Sequence, residues 1–307
     1  MFEYRLSRRN ACRALAGAAA TAVFRPWAAC ADDAGWSPTF VLSSSLYGLT
    51  PLAEILPEVA RTGAVGIDLW PKVHANQREQ VEEMGHDAFR DLLEMHGVPL
   101  YMTTRYDLGP FNLADELQFI HDFGGKLIVT GAHTPPGENL DDRVRAFVAE
   151  LQPHVDRAAE LGVSLAIENH ASSLLDTPEA IRCFADHAAS TNLGVALAPY
   201  HLPQDPQLLA GLIDDLGPKL LHFYAWEHGQ GAMTKLPKDQ ELQQLPGYGA
   251  FDFAPAMHAL RRIKFAGAIQ VFMHPVPRGV PILDTTAEIS AAVNRSRESL
   301  LTSLDRA

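Results

Sequence analysis

Short apolar runs alternate with amphipathic segments from about residue 39 to residue 304, and no other feature of the chain constrains its fold as strongly. The runs fall at residues 39–44, 64–70, 98–104, 126–131, 163–170, 193–198, 219–224 and 268–273. Runs of this length bounded by turn residues suit strands covered on both faces, as in a parallel sheet. Helical spacing fills the gaps at 52–61, 77–96, 113–123, 141–161, 205–216, 253–263 and 286–304, and Thr177-Pro178-Glu179 opens a further helix with an N-cap followed by proline. Eight such units in 307 residues predict a single-domain α/β fold, a (βα)8 TIM barrel. A doubly wound open sheet would want a glycine-rich phosphate turn after its first strand, and Ser43-Ser44-Ser45-Leu46-Tyr47-Gly48 is not one.

The first 31 residues differ in kind. Ser7-Arg8-Arg9 precedes an alanine-rich segment, and Ala29-Cys30-Ala31 offers a small-x-small cleavage site. This pattern resembles a twin-arginine export signal and predicts a periplasmic or otherwise extracytoplasmic protein, with residues 32–307 forming the barrel. Lipidation at Cys30 is the alternative processing route. The apolar segment is too short for a stable membrane span. Cleavage after Ala31 leaves Cys183 as the one remaining cysteine, so no intrachain disulfide is available. A net charge of −12 without a basic stripe argues against a nucleic-acid partner, since phosphate neutralisation supplies much of that affinity.

Catalytic side chains of a TIM barrel come from the C-terminal ends of its strands. Those ends are rich in histidine here. The run Val163-Ser164-Leu165-Ala166-Ile167 ends in Glu168-Asn169-His170, and period-2 geometry puts Glu168 and His170 on one side. The other ends carry Trp70, Lys72 and His74; Arg105; His133; Tyr200 and His201; His222 and Trp226; and His274 and Arg278. Six more histidines fall on predicted helices or their ends and read as surface or packing residues. Imidazoles converging with a carboxylate are typical transition-metal ligands. The longest irregular stretch, residues 226–249, reads as a functional loop over the barrel mouth, with Met233, Leu236 and Leu245 as its anchors.

Gly162-Val163-Ser164-Leu165-Ala166-Ile167-Glu168-Asn169-His170, the Leu-x-Pro-x-His run of residues 197–201, the strand-seven histidine and Leu245-Pro246-Gly247-Tyr248-Gly249-Ala250-Phe251-Asp252-Phe253 together resemble the xylose-isomerase-like barrels of sugar isomerases and epimerases. The resemblance implies a divalent metal held by a Glu, an Asp, a His and a Glu on strands five to eight. It maps Glu168 and His222 onto two ligands and His201 onto a substrate-contacting histidine, but Ala198 and Phe272 stand at the other two ligand positions.

Three readings follow. In the leading one, Glu168, His222 and His274 with His201 or His170 form a rearranged site for Mn, Fe, Co or Zn. Glu168, His201 and Lys72 then move a proton beside the carbonyl of an unphosphorylated sugar, giving isomerisation or epimerisation, or elimination as a lyase on an oxidised glycoside. In the second, the histidines with Lys72 and Arg105 act without metal. In the third, the barrel only binds carbohydrate, with Trp70, Tyr200 and Trp226 stacking on sugar faces. Substrate contacts are expected from Trp70, His74, Arg105, His133, His170, Tyr200, Trp226 and Arg278, the last on a proline-stiffened loop suited to clamping an acidic group. A DNA-repair endonuclease on the same barrel is disfavoured by the acidic charge and the leader.

Overall fold

The computed structural model describes residues 35–305, so the leader and its processing site lie outside the described residues. Eight parallel strands close into a barrel in sequence order: β1 (Thr39–Ser43), β2 (Ile67–Leu69), β3 (Leu100–Thr104), β4 (Leu127–Gly131), β5 (Ser164–Glu168), β6 (Leu193–Leu197), β7 (Leu220–Ala225) and β8 (Ala268–Val271). β8 returns to β1 through the register Thr39↔Ala268, Phe40↔Ile269 and Val41↔Gln270, which closes the ring. Nearly every strand residue is buried, as the apolar runs required.

The helices are α1 (Leu52–Arg61), α2 (Gln77–Met84), α3 (His86–His96), α4 (Ala114–Asp122), α5 (Leu140–Glu160), α6 (Pro178–His187), α7 (Pro206–Leu216), α8 (Lys238–Glu241), α9 (Ala254–Arg262) and α10 (Thr286–Leu304). Side-chain caps fix where several begin. Asn139 accepts from the Asp142 amide, Thr177 from Ala180, Asp205 from Gln207 and Leu208, and Thr285 forms a capping box with Glu288. The helix expected over 77–96 is broken at Gly85, whose φ of 84° is reached without strain only by glycine, so the charged segment becomes α2 and α3.

The segment after β7 is pinned rather than free. Gln244 accepts from the Trp226 indole (3.0 Å) and the His274 amide (3.2 Å) and donates to the His274 carbonyl (2.9 Å), tying the segment to the end of β8. Leu245 is buried as an anchor should be, whereas Met233 is 88% exposed and anchors nothing.

Candidate active site

A polar column runs up the inside of the barrel. Asp68 on β2 is fully buried, and one carboxylate oxygen accepts from the Trp70 indole, from Thr104 Oγ1 (2.9 Å) and from Gln270 Nε2 (2.8 Å). The Gln270 carbonyl in turn faces His222 Nε2 at 3.2 Å. Burial outweighs these three donors and raises the Asp68 pKa to about 7; burial also lowers that of His222 to about 3. Tyr224, two residues beyond His222, meets its ring edge-on at 4.5 Å and holds a buried hydroxyl without a hydrogen-bond partner.

Above the column, Glu168 ends β5 and is 3% exposed. Burial alone pushes its pKa well above the ordinary carboxylate value. Its Oε1 lies 3.9 Å from Nε2 of His201, which the short 3-10 turn Pro199–His201 brings in from β6. Burial, then the charges of His170, His228 and Arg278, lower the His201 pKa to about 3. Burial thus drives the carboxyl toward its protonated form and the imidazole beside it toward its neutral form. Asn169, between Glu168 and His170 in sequence, grips both the amide and the carbonyl of Ala198 (2.7 and 3.0 Å) and so sets where the turn begins.

The mouth is lined by rings. Phe272 stacks on Trp70 (5.0 Å) and meets Trp226 edge-on (5.0 Å), while Trp226 stacks on Tyr200 (4.0 Å). Around them His74 stacks on His274 (4.6 Å), His170 lies against His201 (4.0 Å), and His228 packs on Tyr200 (4.8 Å).

Several nominated residues take other roles. Trp70 and Trp226 are buried against neighbouring rings and present no face to a sugar. Arg105 pairs with Glu116 of α4 and Asp107, a structural ion-pair cluster that Arg78 joins at 3.1 Å, so it is not a substrate clamp. Lys72 is exposed, and His133 packs on Phe111. His74, His170, His201, His274 and Arg278 do gather at the mouth. Asp68, Tyr224 and Gln270 were missed as participants, although each sits two residues from a position singled out in the sequence, and strand periodicity could have found them.

A family model for the xylose isomerase-like TIM barrel matches residues 56–292. The chain belongs to that family. A comparison with curated proteins finds no match. Among solved structures, this xylose isomerase-like barrel is similar to the IolI protein with a bound zinc atom (TM-score 0.67, 15% identity, 87% of this chain and 98% of that one). It is also similar to protein SMc04130 from Sinorhizobium meliloti 1021 (TM-score 0.65, 19% identity, 85% and 98%) and to D-psicose 3-epimerase in the presence of D-fructose (TM-score 0.66, 15% identity, 87% and 100%).

The residues present do not fit a metal centre at the mouth of this xylose isomerase-like barrel. Ala198 offers no side-chain ligand and Phe272 fills its position with a ring stacked on Trp70, while His222, with Nε2 engaged by Gln270, keeps only a buried, unpartnered Nδ1 to offer. The rearranged set of Glu168, His201, His222 and His274 is not assembled. Glu168 and His201 approach each other, but among the described residues the one group of three or more His, Cys, Asp or Glu with donor atoms within 4.8 Å of one another is Asp141, Cys183 and His187, on α5 and α6.

Proposed function

We propose that the protein is a sugar isomerase or epimerase that moves a proton beside a carbonyl with Glu168 and His201, without routing the step through a metal. The observation that carries this reading is the 3.9 Å approach of two groups whose surroundings drive their protonation in opposite useful directions. Neutral His201 takes the proton from the carbon next to the carbonyl while the Glu168 carboxyl gives its proton to the carbonyl oxygen, and an enediol results. The reverse transfers, with the proton returned to the neighbouring carbon, give the isomerised sugar. The two groups lie 3.9 Å apart, which suits a proton shuttled between the neighbouring carbons of a cis-enediol on one face, and so isomerisation rather than epimerisation. His170 lies against His201 and is itself exposed, so its displacement is the simplest way to admit substrate.

Membership of a family typified by sugar-isomerising enzymes supports the reaction class. The twin-arginine-like leader supports an extracytoplasmic enzyme, where unphosphorylated sugars are the accessible substrates.

The test is turnover of a panel of aldoses and ketoses by the mature protein after chelation, with Glu168→Gln and His201→Asn alongside. Each variant is expected to lose about 10²–10⁴-fold in kcat with unchanged folding. Metal content is measured in parallel on Cys183→Ser, which removes any binding at the Asp141–Cys183–His187 group. A near-stoichiometric metal kept by Cys183→Ser but lost in Glu168→Gln, together with activity abolished by chelation, would refute the metal-free step.

A further inference from the structure

The mouth carries a positive charge that no carboxylate among the described residues pairs with. Arg278 is half-buried, and its hydrogen bond goes to the Pro275 carbonyl (2.9 Å). Arg78 and Arg105, by contrast, are both paired with Glu116. The charge of Arg278 reaches His74, His201 and His274, where it adds to burial in holding those rings neutral. The carboxyl beside this cluster is Glu168, whose Oε1 lies 3.9 Å from His201 Nε2. In a chain of net charge −12, Arg278 thus stands at the strand tips as a guanidinium without a carboxylate partner among the described residues. The Arg278 loop is also fixed in place. Pro275 and Pro277 flank it, and Gly279 lies so near the Val73 carbonyl that a Cβ there would sit 3.0 Å away.

We infer that the sugar taken at this mouth is an acidic one, of hexuronate type, whose carboxylate is received by the Arg278 guanidinium while its carbonyl end reaches Glu168 and His201. The inference rests on reading the mouth as a sugar site and specifies the substrate class. A carboxylate is favoured over a phosphate because the single guanidinium without a carboxylate partner at this mouth supplies one positive charge, which matches a carboxylate and under-compensates a phosphate dianion. The planar guanidinium fork fits a carboxylate in two parallel hydrogen bonds. The imidazoles around it are donors as well as proton acceptors, so they also serve the sugar hydroxyls.

The experiment is calorimetric binding of D-glucuronate, D-glucose and D-glucose 6-phosphate to the mature protein, its Arg278→Met variant and its Arg278→Lys variant, at low and moderate salt. Turnover of the same three sugars is followed separately. Glucuronate is expected to bind about tenfold or more tightly than glucose, with a preference that weakens as salt rises. Arg278→Met is expected to abolish the preference for glucuronate over glucose, and Arg278→Lys to keep part of it. Equal affinity for glucuronate and glucose, or a preference that survives Arg278→Met, overturns the inference, and so does binding of none of the three. A preference for glucose 6-phosphate overturns the assignment to a carboxylate. If glucuronate is preferred through Arg278 but no sugar is converted, the acidic-sugar site stands and the isomerase reading falls. If glucose is converted and glucuronate neither binds nor reacts, the isomerase reading stands and the acidic-sugar assignment falls.

Discussion

Replacing Asp68 by asparagine tests whether the carboxylate inside the barrel is held protonated by its surroundings. Asp68 is fully buried, its three donors converge on one oxygen, and the other oxygen has no partner. Its pKa is raised from 3.8 to about 7, so between those values the folded protein keeps a proton that the unfolded chain has released. The folded state then binds more protons than the unfolded one, and the contribution of this group to stability falls as pH rises from about 4 to about 7 and is level above that. The penalty relative to a group that never ionises is about 1.7 kcal/mol at pH 5 and about 4.3 kcal/mol at pH 8, a difference of roughly 2–3 kcal/mol. The amide introduced by Asp68→Asn does not titrate and keeps an oxygen to accept the same three hydrogen bonds. The histidines and the remaining acids are common to both proteins, so the difference between their stabilities isolates this one proton. Urea unfolding followed by far-UV circular dichroism at pH 5, 6, 7 and 8 measures it. Whatever the offset between the two proteins at pH 5, the variant should gain about 2–3 kcal/mol on wild type by pH 8. A difference constant to within about 0.5 kcal/mol over that range would show that Asp68 ionises normally inside the barrel and would refute the reasoning.

Arg105→Ala should cost about 3–5 kcal/mol in urea unfolding because it strands Glu116 with only Arg78, while leaving the KM of any sugar turned over unchanged; a raised KM at full stability would restore Arg105 to substrate binding. Gly249→Ala would drive a Cβ into the Glu227 carboxylate, which accepts from the Phe251 amide at 2.8 Å, so a loss of about 1–3 kcal/mol is expected, and an unchanged unfolding midpoint would contradict that packing.

The barrel was legible in the sequence because its determinants are local. Apolar runs of strand length and the Thr177-Pro178 start each act within a few residues, and eight repetitions leave one closed architecture. Glu168 at the end of β5 and His201 beyond β6 were legible for the same reason, since strand order places them side by side. What could not be read were quantities fixed by distant partners. Arg105 looks like any strand-tip arginine until α4 delivers Glu116 beneath it. Trp70 and Trp226 look like sugar platforms until Phe272 arrives from the other end of the chain to cover both. Whether four donors converge on one point is a matter of ångströms, which residue spacing along a strand does not resolve.

Phe272 and Ala198 can be understood as one change rather than two losses. A metal centre needs donors that stay solvated or charged until the ion binds, whereas here a phenyl ring joins Trp70, Trp226 and Tyr224 in an apolar wall and a methyl group stands where a carboxylate would. That wall leaves Glu168 with neither a cation nor a hydrogen-bond donor to favour its charge, and burial alone then raises its pKa well above the ordinary carboxylate value. The same burial strips the proton from His201 3.9 Å away. On the proposed function, carbon at these two positions is what lets Glu168 and its neighbouring histidine serve as proton donor and acceptor. By this argument, placing a carboxylate at position 272 would lower turnover even where the new side chain is accommodated, because a negative charge at the mouth would compete with an acidic substrate for Arg278.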